Sequence, residues 1–193
     1  MGVREAKDRA RREARARRAA VPREELAWAS EAVSAHLAEW TAQRRAAVVS
    51  AFWPLVLRGE LDIRPLLAEL TGSGRRVALP CVVGTAPPRM EHRLFRGAGD
   101  LVEGAFGTRE PPVVAPGVLP STVEVAIVPA LAISADGARL GYGGGFYDAF
   151  LATTAALRVG VALELSAPGT IPTEPHDARL DAVVTPAGVA VCR

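Results

Sequence analysis

Residues 123–148 read VEVAIVPALAISADGARLGYGGGFYD, opening on an apolar run and closing on a loop rich in glycine. Apart from Glu124, residues 123–129 are continuously apolar, as a strand covered on both faces requires. The loop that follows sets four glycines within ten residues, between Arg139 and Asp148. A helix is predicted over 146–157 and a further strand over 158–163. Strand, glycine loop, helix, strand is the wiring of a parallel α/β unit, which places ligands at the carboxyl ends of its strands.

The flanking segments extend this pattern. Residues 3–20, rich in alanine and arginine, predict an exposed or loosely docked helix. Pro22 opens a second helix, where Leu26, Ala29, Val33, Leu37 and Trp40 recur at helical spacing along one face. Strands are predicted at 46–52 and 76–82, with a helix over 62–70 between them that carries Pro65 in its first turn. Residues 84–120 read as a long irregular excursion with one extended piece at 90–96, and two short strands at 180–185 and 188–192 end the chain. The expectation is one domain over 1–193: a three-layer open α/β sheet, mostly parallel, with helices on both faces. Residues 1–20 form its basic N-terminal helix and contribute to the site.

Composition excludes several classes. The chain is 49% hydrophobic with a net charge of +2, so the arginines near the N-terminus are a local feature and no nucleic-acid partner is required. No run approaches the roughly 18 uncharged residues of a membrane span, and no apolar stretch follows the basic end as in a secretory signal. Only Cys81 and Cys192 are present. A disulfide scaffold is disfavoured and the cytoplasm is the expected compartment.

The glycine loop matches neither common phosphate motif. A dinucleotide fingerprint beginning at Gly141 needs glycine where Phe146 stands, and a Walker loop needs a lysine that is absent. Two readings therefore stay open: amides that cradle an anion, or a plain β-to-α turn. Asp148 is equally ambiguous, since a carboxylate in a first helical turn suits both the helix dipole and a magnesium ion beside phosphate. Lys7 is the sole lysine. On a helix, Lys7 and Arg11 share one face and could grip a polyphosphate, the plainer alternative being a solvated basic surface.

The combination of RLGYGGGFYD (139–148) with GVALE (160–164) and IPTEPHDARLDAVVTP (171–186) resembles the 5-formyltetrahydrofolate cyclo-ligase family. AKDRARR (6–12), FWPLVLRGELDIRPLL (52–67), VALPCV (77–82) and GAFGTREPP (104–112) match it in order, so the resemblance covers nearly the whole chain. It implies an ATP- and magnesium-dependent enzyme that cyclises a small-molecule folate; a monomer or weak dimer is the expected state. It implies that Lys7 and Arg11 bind the ATP phosphates, with Lys7 and Arg139 catalytic. The nucleotide loop comprises Arg139, Leu140, Gly141, Tyr142, Gly143, Gly144, Gly145, Phe146 and Tyr147. Asp148 and Asp181 are the implied magnesium ligands. Glu60 is the implied folate carboxylate, with Trp53, Phe106, Tyr142 and Phe146 lining the pterin slot, although core packing is an equal alternative for Trp53 and Phe106. His176 and Asp177 are expected to form a turn that orients Asp181. Ile133, Ser134 and Ser166 depart from the family pattern and bear on substrate identity. The rival readings are a same-fold ATP-dependent enzyme with another substrate and a non-catalytic nucleotide- or RNA-binding module.

Overall fold

A computed structural model describes residues 2–192. The chain begins with α1 (Val3–Ala19) and α2 (Arg23–Gln43), followed by β1 (Val48–Ser50), α3 (Arg64–Gly72), β2 (Arg76–Thr85) and β3 (Pro88–Leu94). A short ribbon, β4 (Val102–Glu103) with β5 (Arg109–Glu110), and β6 (Gly117–Val118) lead to β7 (Val125–Val128). Around the glycine loop lie β8 (Ala132–Ile133), β9 (Arg139–Leu140) and α4 (Phe146–Leu151). The chain closes through β10 (Leu157–Val161), β11 (Ala182–Thr185) and β12 (Gly188–Val191).

Eight strands form one sheet in the order β12-β11-β10-β7-β1-β2-β3-β6. From β11 to β2 every pairing is parallel, while β12, β3 and β6 pair antiparallel at the two edges. The α/β expectation therefore holds. Alternation along the central strands builds the layers: Val125 and Ile127 pack with Val33, Leu37 and Leu67 of α2 and α3, whereas Ala126 and Val128 pack with Phe150 and Leu151 of α4. From β1 the chain crosses through α3 to β2, and from β7 it crosses through α4 to β10 on the other side. The two crossovers diverge between neighbouring β1 and β7. Such a switch point leaves a crevice at the carboxyl ends of the two strands.

Three expectations are revised. The excursion at 84–120 is not mainly irregular, because β2 runs on to Thr85 and β3 returns against it as a hairpin. Its signal was the alternation of Met90, His92 and Leu94 with the more exposed Arg89 and Glu91. The helix after the glycine loop ends at Leu151 rather than near 157. Thr154 breaks it by donating its hydroxyl to the Pro120 carbonyl and accepting the Ala156 amide. Finally, α1 is docked rather than loose, with Lys7 and Ala14 buried and Ala14 packed on Leu140 and Ile171.

Candidate active site

The crevice at the switch point is a cleft of about 670 Å³. Phe52 and Trp53 after β1, Pro80 and Val82 of β2, and Pro129 after β7 form its floor, and α1 and the glycine loop form its walls. Gly143 and Gly145 adopt φ of +102° and +71°, conformations that side-chain-bearing residues rarely take. At Gly143 a Cβ would also lie 3.3 Å from the Arg11 guanidinium carbon. The loop is thus held open backbone-first against α1. Because α4 has only six residues, the loop amides and neighbouring cations, more than a helix dipole, equip this wall for an anion.

Arg139 is buried and donates from Nη2 to Asp148 Oδ1 at 2.5 Å, and the Ala178 amide donates to the same oxygen at 3.1 Å. Arg139 Nε and the Tyr147 hydroxyl are buried without a hydrogen-bond partner among the described residues. Unmet polar groups in the wall of a cleft are uncommon unless a ligand serves them. Burial, followed by repulsion from Glu60, raises the Tyr147 phenol above its ordinary value and keeps it a proton donor.

Lys7 is 7% exposed, which removes it from any solvated surface. Its Nζ donates to Glu174 Oε2 at 2.7 Å and to Asp177 Oδ1 and Oδ2 at 2.9 and 2.6 Å. Burial works to lower the ammonium pKa, but the hydrogen bonds and charges of Asp177 and Glu174 outweigh it and hold the value above 10.5. The same contact with Lys7 lowers the Glu174 carboxyl. Arg11 donates from Nε to the Gly141 carbonyl at 3.0 Å and from Nη1 to Asp8 at 2.6 Å, so one arm braces the loop.

At the other end of the cleft, Glu60 is buried, accepting the Leu55 amide on Oε2 at 2.7 Å and the Tyr142 hydroxyl on Oε1. Phe106 is 62% exposed and meets Phe146 edge to face with ring centroids 5.9 Å apart, so it is not a core residue. Its φ of +60° is unusual for a bulky side chain, and such backbone outliers cluster at binding sites. Trp53 serves two purposes, packing on the core and lining the cleft. Leu140 is buried against Ala14 and anchors the loop to α1.

Asp181 is the clear misplacement. It precedes β11 and accepts the Arg158 amide at 2.7 Å at the amino ends of β10 and β11, whereas the cleft lies at carboxyl ends. The turn at 174–177 therefore holds Lys7 rather than Asp181, and Glu174 and Asp177 both reach the cleft alongside Asp148. No local pattern flagged Glu174 or its link to Lys7, which spans 167 positions. Ile133, Ser134 and Ser166 lie outside the cleft lining; Ser134 and Ser166 join two segments in a β-bridge.

An open α/β sheet with a glycine-loop cleft at its switch point, lined by buried cations and carboxylates, is the framework of an α/β enzyme whose site lies at the carboxyl ends of its strands. The chain belongs to the 5-formyltetrahydrofolate cyclo-ligase family, whose model matches residues 3–186, and is thus a ligase of that family. It is 36% identical over 135 residues to the 5-formyltetrahydrofolate cyclo-ligase of Escherichia coli K12, covering 68% of this chain and 74% of that one. The cyclo-ligase of Mycolicibacterium smegmatis is 40% identical over 130 residues, covering 63% and 65%. The solution structure of Aquifex aeolicus 5,10-methenyltetrahydrofolate synthetase superposes with a TM-score of 0.84 at 30% identity, covering 97% of this chain and 93% of that one. Among the described residues no helix is long and apolar enough to cross a membrane.

Proposed function

We propose that this cleft holds ATP and 5-formyltetrahydrofolate together and aligns the γ-phosphorus with the formyl oxygen. The formyl group on N5 is an amide, and its oxygen is too poor a leaving group to depart when N10 attacks. Phosphoryl transfer from ATP to that oxygen expels ADP and turns it into a phosphate ester. N10 then bonds to the formyl carbon, loses its proton, and inorganic phosphate leaves as the ring closes to 5,10-methenyltetrahydrofolate. Such chemistry asks a protein for alignment and charge stabilisation rather than a covalent nucleophile.

One observation carries the reading: the glycine loop, the Arg139–Asp148 pair, the Lys7 clamp and the Glu60 end all line a single cleft. Lys7 and Arg139 supply positive charge to the phosphates, and Arg11 sets the loop that receives them. Phe106 and Phe146 offer flat apolar surface to a pterin, and Glu60 accepts its N–H groups. Asp148 and Asp177 are the carboxylates we assign to a magnesium ion, because both line the cleft and hard divalent cations take oxygen ligands; Asp148 is paired with Arg139 and Asp177 with Lys7, and Glu174 and His176 converge with Asp177 as further donors. Bound there, magnesium would neutralise phosphate charge. We place this activity in the cytoplasm, carried out by a monomer or weak dimer that requires no nucleic-acid partner.

The test is formation of methenyltetrahydrofolate, followed by its absorbance, from 5-formyltetrahydrofolate with ATP and magnesium. Product is expected only when all three are present. Folded protein that binds ATP yet forms neither product nor ADP with this folate overturns the proposal in favour of another substrate. A paired measurement locates the metal. Asp148→Asn and Asp177→Asn are each expected to lower kcat on the order of a hundredfold. Asp181→Asn, at the far end of the sheet, is expected to stay within about a factor of two. Equal losses in all three variants would return Asp181 to the site.

A further inference from the structure

Tyr142 is the loop residue whose side chain hydrogen-bonds Glu60 at the other end of the cleft. Gly141 and Gly143 flank it, and Arg11 holds the backbone beside it through the Gly141 carbonyl. Its hydroxyl accepts from Arg18 Nη1 at 2.7 Å and donates to Glu60 Oε1. Arg18 is itself anchored, since its Nη2 donates to the Ala130 carbonyl at 2.5 Å and its Nη1 stands 4.0 Å from Glu60.

The two oxygens of Glu60 therefore differ. Oε2 is committed to the Leu55 amide within the same turn. Oε1 is the oxygen left to receive a ligand, and Tyr142 already donates to it. A hydrogen bond to a buried carboxylate is worth more than one between neutral groups, so a ligand N–H that approaches Oε1 must compete with this hydroxyl. The competitor is covalently part of the glycine loop to which the nucleotide is assigned above.

We infer that Tyr142 is a positioning residue that links nucleotide occupancy of the loop to folate affinity at Glu60. When nucleotide draws the loop toward its phosphates, the hydroxyl withdraws from Oε1, keeping Arg18 as its partner, and the carboxylate is freed for the folate. Linkage is reciprocal, so bound folate also favours nucleotide. The glycines on either side allow the displacement without moving β9 or α4. This inference rests on Glu60 as the carboxylate that receives folate.

The test is calorimetric titration of 5-formyltetrahydrofolate with and without a non-hydrolysable ATP analogue and magnesium. Wild-type protein is expected to bind the folate at least about fivefold tighter with the analogue, the lower end of ordinary coupling. Tyr142→Phe keeps the ring but removes the hydroxyl. It is expected to bind the folate with the same affinity, within about twofold, in both conditions, and without the analogue at least as tightly as wild type. A merely structural role would weaken both titrations and preserve their ratio. Tyr142→Phe that retains the wild-type ratio, or wild type with no ratio to lose, overturns the inference while leaving the cyclisation reading intact. Glu60→Gln separates the two levels: it is expected to weaken folate in both conditions, and unchanged affinity would remove Glu60 from folate recognition and the inference with it.

Discussion

Lys7→Ala is expected to lower kcat/KM roughly a hundredfold, the effect of losing about 3 kcal/mol of charge-assisted contact with the transition state. It is also expected to cost on the order of 2 kcal/mol of stability. The ammonium is buried between Glu174 and Asp177, and removing it leaves two carboxylates facing one another without a counter-charge. The estimate stays below the usual range for a broken buried pair because Glu174 is more than a third exposed. Lys7→Arg keeps the charge and recovers part of the stability, yet is expected to remain impaired in turnover. A planar fork cannot make three converging bonds from one nitrogen, as Nζ does here. Steady-state kinetics with ATP and folate varied separately, together with thermal unfolding of both variants, measure the two effects. Near-wild-type kinetics in both would reduce Lys7 to a tether for α1 and leave phosphate binding to Arg139 and the loop amides.

Glu174 sharpens this expectation, because it lines the cleft beside Lys7 and holds its ammonium. Glu174→Gln keeps the shape and removes one of the two charges that hold the ammonium. Its effect is expected to fall mainly on KM for ATP, by several-fold, with kcat less altered. A loss confined to kcat would instead make Glu174 part of the chemistry.

Local patterns were sufficient for the central sheet. Alternation within residues 125–128 assigns neighbouring side chains to opposite layers, and the glycines after β9 mark the turn into α4. Where the reading failed, the deciding contact was distant in sequence. Asp181 and Asp177 stand four positions apart in one acidic stretch, and only the register of β11 against β10 sends Asp181 to the amino ends of the strands. Lys7 gave no local sign that it was buried, since its helix is dominated by exposed arginines and both its partners come from the far end of the chain. The sequence left Phe106 between a ligand-facing slot and the core, and its exposure decides against the core. Large aromatics ordinarily pack in cores, and its left-handed backbone, which holds the ring against Phe146 at the cleft, leaves no trace in composition.

His92 supplies the second large expected effect, on stability in mild acid. It is 2% exposed on β3, with its ring 4.0 Å from that of Phe150 and both nitrogens lacking a partner among the described residues. Burial lowers its pKa from 6.5 to about 4, so the folded protein holds the imidazole neutral while the unfolded chain protonates it readily. The unfolded state therefore binds more protons between those two values, and stability falls as pH drops from about 6.5 towards 4, levelling off below. At about 1.4 kcal/mol for each tenfold change in proton affinity, the full loss is about 3 kcal/mol. For a chain of this size that is a fall in Tm of roughly 6–12 °C. Carboxylates held low in the fold, such as Asp136 at about 2, lose their contribution only below about 4, so the two windows separate. His92→Leu is expected to flatten the dependence of Tm on pH over the upper window. A nuclear magnetic resonance titration of the imidazoles in the wild-type protein gives an independent reading: His92 should stay neutral down to about pH 4. An imidazole at this position that titrates near 6.5, or a variant whose Tm falls in parallel with wild type, would show that the pocket between β3 and α4 admits a charged ring.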